Sequence, residues 1–166
     1  MVWNSPFGSG AAYFRVDRAA TFVDIDIKFC SNPNAFNTKK KGGFPVTIFG
    51  DATFDVTAID RDTLQLCNDA AGTDCTPAGL KDFSMADRGE SGDAGTATCI
   101  DDLANPDGFL DLDAVFYAQD VADLIGPVSK GDVVGPLYLV GYLNDTTPIT
   151  SVPVNSIGVD WLAIKK

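Results

Sequence analysis

An acidic stretch between residues 101 and 113 contains the side chains whose types and spacing are best suited to chemistry. It reads Asp101-Asp102-Leu103-Ala104-Asn105-Pro106-Asp107-Gly108-Phe109-Leu110-Asp111-Leu112-Asp113. Its Asn-Pro and Asp-Gly dipeptides break regular structure and so collect oxygen ligands in a loop. Calcium accepts about six to eight oxygens in irregular geometry. The stretch therefore predicts a calcium site. The alternative is an ordinary solvated turn, since these residue types also build turns.

The segments that follow this loop must hold it in place. Leu110, Leu112, Ala114 and Phe116 alternate with Asp111 and Asp113 along the sequence, which predicts a strand with one apolar face. Residues 118–125 then form the one convincing helical pattern, which Gly126-Pro127 ends.

The composition of the rest of the chain favours β structure. Of the 23 acidic residues in 166, 22 are Asp, which disfavours helix interiors and favours turns. Residues 30–43 and 68–95 are predicted to be loops, and residues 55–60 a turn of helix. The clearest strand is residues 21–29. We predict an all-β, antiparallel β-sandwich (immunoglobulin-like or jelly-roll-like) of about eight strands, with one short helix near 118–125.

Charge and residue content argue against several functional classes. A net charge of −11 disfavours nucleic-acid binding, which needs clustered Lys and Arg. The chain has no His, which removes the commonest general base, and no catalytic residue stands out. We therefore predict a protein that is not an enzyme. No apolar run is long enough to span a bilayer, and no signal peptide is visible in the printed sequence.

The four cysteines predict an oxidising, extracellular environment. Cys30, Cys67, Cys75 and Cys99 are even in number and include no CxxC pair, which favours two disulfides. The short loop between Cys67 and Cys75 favours that pairing and leaves Cys30 with Cys99. The other two pairings, or a metal site formed by four thiolates, remain as alternatives.

Two further features concern carbohydrate. Asn144-Asp145-Thr146 is a glycosylation sequon predicted to lie in a turn between strands, so Asn144 is a candidate glycan site. The aromatic side chains of Trp161, Tyr138 and Tyr142 could stack on sugars. Their alternation with apolar neighbours favours packing within the protein instead.

The order of motifs along the chain resembles a β-sandwich module of secreted bacterial proteins. The matching segments are residues 23–28 ("IDIKPGS" in the family), 43–50 ("GVIPVAILG"), 54–66 ("FDVTQIDPxTVRL"), 107–112 ("DGxPDL") and 139–149 ("LTGxLxDGTPI"). The resemblance covers about residues 23–160 and implies a β-sandwich attached to extracellular, surface or matrix proteins. The family's loop "DxNxDGxxD" is similar to dockerin-like calcium loops. Here Asn105, Asp107 and Asp111 keep its third, fifth and ninth positions, but Leu103 occupies the first. With Asp102 and Asp113 they make up the predicted ligands of a structural calcium site.

Residues 1–22 precede the usual start of this family. We therefore divide the chain into an N-terminal arm, residues 1–22, and a single β-sandwich domain, residues 23–166. The arm contains a Gly/Ser-rich part followed by the β-prone segment Tyr13, Phe14, Arg15 and Val16. This segment could protect the protein's own sheet edge, or could add to a sheet of the next molecule.

These features together predict an extracellular structural or adhesion module. A fainter resemblance to subunits of extracellular glycoprotein fibrils implies self-assembly into a filament through exchange of the N-terminal strand. A calcium-dependent carbohydrate-binding module is the alternative function.

Overall fold

The structure is a computed structural model that describes residues 19–29, 31, 34–89, 106–151 and 160–165. These residues form ten strands, one α-helix and one 3₁₀ turn at Val56–Ala58. The strands are β1 (Thr21–Phe22), β2 (Ile25–Ile27), β3 (Asn34–Phe36), β4 (Gly43–Ile48), β5 (Ile59–Cys67), β6 (Asp82–Ala86), β7 (Asp111–Tyr117), β8 (Val133–Leu143), β9 (Pro148–Thr150) and β10 (Asp160–Ile164), and the helix is α1 (Ala118–Ile125).

The strands form two sheets. Sheet I has the order β1-β9-β8-β10-β3, with β5 also paired to β8, and sheet II has the order β2-β4-β7-β6. The pairs β1/β9 and β3/β10 are parallel, and the other pairs are antiparallel. The predicted all-β, sandwich-like class is therefore confirmed, with ten described strands instead of about eight. The predicted helix at residues 118–125 is also confirmed at those bounds.

The predicted continuous strand at residues 21–29 is instead two short strands that belong to different sheets. Val23 N–H donates to the carbonyl of Thr150 in sheet I, whereas the carbonyl of Asp24 accepts from Phe49 N–H, next to β4. The chain therefore crosses between the sheets at Val23 and Asp24. Alternation alone could not reveal this crossing, because apolar residues at every second position suit either sheet.

Two segments predicted to be loops contain strands. β3 lies within residues 30–43 and pairs with β10, more than a hundred positions away, while β6 lies within residues 68–95 and pairs with β7. Both strands depend on pairing with distant partners, so local composition did not identify them.

The core lies between the two sheets. Leu112, Ala114 and Phe116 of β7 are almost completely buried, as their alternation predicted. Leu110 is half-exposed because it precedes the strand. Opposite them pack the buried side chains of β5 and β8, among them Leu64, Leu66, Leu137 and Leu139.

A folded-back segment covers the edge of β5 that does not face β8. Thr76 N–H donates to the carbonyl of Leu66 (2.8 Å), and Leu66 N–H donates to the hydroxyl of Thr76 (3.1 Å). Gly79 N–H donates to the carbonyl of Leu64 (3.0 Å). The Cys67–Cys75 disulfide lies at the start of this segment. The predicted Cys67–Cys75 bond thus holds a cover over a sheet edge that would otherwise be open to pairing.

Among the described residues, no helix combines the length and apolar character needed to cross a membrane.

Candidate functional site

Asp111 lies at the centre of the acidic region and is completely buried. As the first residue of β7, it sits on the face of sheet II that points away from the core. One carboxylate oxygen accepts from Gly50 N–H (2.9 Å), and the other accepts from Arg88 N–H (2.6 Å). Asp111 therefore ties three separate parts of the chain together: the end of β4, the segment after β6, and β7 itself.

Asp113 lies two positions further along the same face and is held by a cation. One of its oxygens accepts from the hydroxyl of Thr47 (2.8 Å) on β4, and the other accepts from Nε of Arg88 (3.1 Å). Nη2 of the same guanidinium completes an ion pair with Asp113. Arg88 also lies 5.8 Å from the ring centre of Phe29, so its side chain covers the outer face of sheet II.

Asp87 joins this arrangement to the turn that precedes β7. Its carboxylate accepts from Asp107 N–H (3.0 Å) and Gly108 N–H (2.8 Å). Asp107 in turn accepts from Phe109 N–H (2.8 Å). Gly108 has φ +90°, a conformation that glycine adopts at low cost. The described end of the acidic loop is thus ordered by hydrogen bonds from backbone N–H groups to carboxylates.

The position of Asp111 has an electrostatic consequence. Burial raises the pKa of Asp111 above its ordinary value, and the nearby carboxylates of Asp107 and Asp87 raise it further; the two backbone N–H donors oppose this change. A carboxyl group with a raised pKa is common in active sites. Here both oxygens are bonded to backbone N–H groups and the side chain is inaccessible, so the geometry supports a structural role.

The described ligands of the predicted calcium site fit a cation only in part. The oxygens of Asp111 and Asp113 already accept from N–H, O–H or guanidinium donors, and Arg88 places a positive charge beside Asp113. In the parts of the chain that the structure describes, no group of three or more His, Cys, Asp or Glu residues could hold a metal ion. The other two proposed ligands, Asp102 and Asn105, lie outside the described residues, so the calcium site stays a prediction.

The sequence reasoning missed Asp87 and Arg88. Both fall in a region predicted to be irregular, and among 22 aspartates nothing distinguishes Asp87. The available signal was Arg88 itself, the only basic residue between Lys81 and Lys130 in the sequence. A lone cation close to an excess of carboxylates predicts an ion pair, although not which carboxylate forms it.

The remaining predicted residues are placed as follows. Asn144 is exposed in the turn between β8 and β9, where its N–H donates to the carbonyl of Ala58 (2.8 Å), so the sequon lies in a turn as expected. Glycosylation of Asn144 stays a prediction. Cys30, Cys99 and the arm residues Tyr13, Phe14, Arg15 and Val16 lie outside the described residues.

A groove of about 300 Å³ lies on the outer face of sheet I. Val140 and the half-exposed Tyr142 on β8 form part of its floor, Thr63 and Gln65 on β5 supply polar groups, and Gly72 lies against Val140. The groove thus combines an accessible aromatic ring with two polar side chains. The Thr63 hydroxyl donates to the carbonyl of Asp60, and Gln65 Nε2 donates to the carbonyl of Thr76.

The chain matches no protein-family model, no curated protein sequence and no solved structure at a significant level.

Proposed function

We propose that the protein is an extracellular structural or adhesion subunit that assembles with copies of itself through its N-terminal segment, to form a surface or matrix fibril. The observation that carries this proposal is the parallel pairing of β1 with β9. Thr21 lies opposite Ile149, and Phe22 lies opposite Thr150. β9 itself begins only at Pro148, directly after the turn that follows β8.

This register limits where the preceding residues can pair. Because β1 and β9 run in the same direction, Ala20 falls beside Pro148, which is the first residue of β9. The described part of sheet I therefore offers the N-terminal segment no further backbone partners along β9. The β-prone residues 13–16 precede Ala20 along the chain, so a strand partner for them must be sought elsewhere, including on another molecule.

The distribution of charge supports the same proposal. Residues 1–18 contain two arginines and one aspartate, so their net charge is +1. The net charge of residues 19–166 is therefore −12, which gives the total of −11. Two such acidic bodies repel each other. Electrostatic repulsion between two copies is smallest when one copy makes the contact through residues 1–18, which lack this excess of negative charge.

The Cys67–Cys75 disulfide supports an extracellular location, since disulfides persist in oxidising compartments. The resemblance to modules of secreted proteins supports it as well.

The test compares the full chain with a variant that lacks residues 1–18, by size-exclusion chromatography with light scattering and by electron microscopy. The deletion keeps β1, so the body retains its described strands. We expect filaments or concentration-dependent oligomers from the full chain and monomers from the deletion. A control that keeps the length but replaces residues 13–16 with Gly-Ser-Gly-Ser should behave like the deletion. A full chain that stays monomeric at all accessible concentrations would refute the proposal.

One observation favours the alternative, a calcium-dependent carbohydrate-binding module: Tyr142 is 50% exposed and lines a groove together with Thr63 and Gln65. Sugar recognition uses this combination of an aromatic face and hydrogen-bonding groups. A glycan array should then show binding that Tyr142→Ala and chelation of calcium each abolish. Tyr117→Ala, at a similarly exposed tyrosine outside the groove, should leave binding unchanged, and an array without signal would dismiss this alternative.

A further inference from the structure

We infer that the outer edge of β6 is the acceptor for residues 13–16 of a second copy. This inference rests on the proposed function and names the surface that the assembly would use. Among the described residues, β6 pairs only with β7, so sheet II ends at β6 on that side. β6 is five residues long, and Asp82, Phe83 and Ser84 are exposed.

The register of sheet II shows which backbone groups face outwards. The carbonyl of Pro45 accepts from Lys28 N–H on the side of β2, so the alternate residues, such as Val46, direct their backbone groups to β7. In β7, the residues opposite these, such as Ala114, direct their backbone groups to β4. Phe83 and Met85 lie opposite Ala114 and Leu112 in β7, so their backbone groups point away from β7. Phe83 N–H accordingly donates to the side chain of Asp82 (2.9 Å). The carbonyl of Phe83 and both backbone groups of Met85 form the pairing edge.

The side chains of β6 give this edge two different faces. Phe83 and Met85 lie opposite Ala114 and Leu112, on the core side of the sheet. Met85 packs against the core, whereas Phe83 is 44% exposed. The guanidinium of Arg61 lies over its ring, 3.9 Å from the ring centre. The core-side face of the edge is therefore apolar and incompletely covered.

The opposite face of the edge is polar. Asp82 and Ser84 lie on it, with Ser84 opposite Asp113, whose charge is already paired with Arg88, so Asp82 is the open carboxylate of β6. In an extended segment, Phe14 and Val16 fall on one face, and Tyr13 and Arg15 fall on the other. Phe14 and Val16 suit the open side of Phe83, while Arg15 suits the face that carries Asp82. The segment matches the edge in both its apolar and its charged face.

The edge also carries a feature that limits unwanted pairing. Because the carboxylate of Asp82 bonds the outward N–H of Phe83, an added strand must displace this contact. Charged side chains on an edge strand commonly discourage non-specific pairing. A basic incoming residue such as Arg15 compensates for the displacement, since it gives the released carboxylate a new partner.

The test is Phe83→Glu in the full chain, with Val133→Glu as the matched control, because Val133 is an exposed apolar residue in sheet I. Phe83→Glu should raise the concentration needed for assembly by at least about tenfold, since it replaces the apolar ring that Phe14 and Val16 would cover with a charged group that loses water on contact. Val133→Glu should leave it unchanged. Circular dichroism of both variants confirms that they fold.

Amide hydrogen exchange supplies an independent measurement. In assembled full-length protein, Met85 N–H should exchange more slowly than in the variant that lacks residues 1–18. If assembly requires residues 1–18 but is unaffected by Phe83→Glu, the outer edge of β6 is not the acceptor, and the proposed function stands. If the Met85 N–H is protected in a monomeric full chain but not in the variant that lacks residues 1–18, the segment pairs within its own molecule, and the inference is overturned.

Discussion

At the scale of residues, the aspartates act mainly as acceptors for nearby backbone N–H groups. Asp51 accepts from Thr53 and Phe54, Asp55 from Thr57, and Asp69 from Thr73 and Asp74. These hydrogen bonds lower the pKa of Asp51, Asp55 and Asp69. The stability that they contribute is present above the ordinary carboxyl pKa and is lost as the pH falls through their lowered values.

Asp111 behaves in the opposite sense, because burial raises its pKa. Its contribution to stability is fully present below its unfolded pKa and is lost as the pH rises through the raised folded value. In an NMR titration of the carboxyl carbons, Asp111 should titrate above the exposed aspartates. Titration at or below the ordinary value would contradict the assignment of Asp111 as a desolvated group.

Removing the charge of Asp111 should nonetheless destabilise the protein at neutral pH. In Asp111→Asn, one amide oxygen can replace only one of the two acceptors, so the N–H of either Gly50 or Arg88 is left facing an NH₂ group. An unsatisfied buried donor costs about 1–3 kcal/mol in the free energy of unfolding. Urea denaturation measures the change, and the exposed Asp62→Asn is the control. Equal stability of the two variants would show that these hydrogen bonds do not matter.

At the scale of elements, the segment after Cys75 is as important as the strands, because it covers the outer edge of β5. The serine double variant, Cys67→Ser with Cys75→Ser, should lower the free energy of unfolding by about 2–3 kcal/mol, as expected for a short closed loop. The N–H groups of Leu66 and Thr76 should then exchange faster. The amides of β4, in the other sheet, serve as the internal reference.

If the double variant exchanged at those positions as slowly as the native protein, the hydrogen bonds of Thr76 alone would hold the cover. The disulfide would then contribute only to the unfolded state.

The sequence predicts an element well when the residues that determine it are neighbours in the chain, and poorly when they are distant. α1 was predicted at its exact bounds because its signals are local: an apolar pattern, then Gly126 with φ +72°. β7 was predicted for a similar reason. β3 and β6 were missed because their pairing partners lie far away along the chain.

The residues of the candidate site also divide into those that are neighbours in the sequence and those that the fold brings close. The sequence identified Asp107, Asp111 and Asp113 as residues of interest, since their clustering is visible along the chain. It could not show that Arg88 and Gly50 approach them from other parts of the fold. These two residues supply the backbone N–H groups and the guanidinium that the carboxylates of Asp111 and Asp113 accept from.

At the scale of the whole molecule, the net charge should control assembly. With −12 outside residues 1–18, repulsion between bodies opposes association at low ionic strength. Raising the salt concentration from about 10 mM to about 150 mM shortens the Debye length from about 30 Å to about 8 Å. Light scattering should therefore show more assembly at the higher concentration. Less assembly would mean that attraction between the arm's arginines and the acidic body dominates.

The crossing of the chain at Val23 and Asp24 has a mechanical consequence. β1 is bonded into sheet I and β2 into sheet II, with only two residues between them. A pulling force applied at the N-terminal side therefore reaches both sheets almost at once. It acts as shear along the parallel β1/β9 pair, and then on the antiparallel β2/β4 pair of the opposite layer. A subunit anchored through this end would share tension between its two layers instead of unzipping one strand at a time.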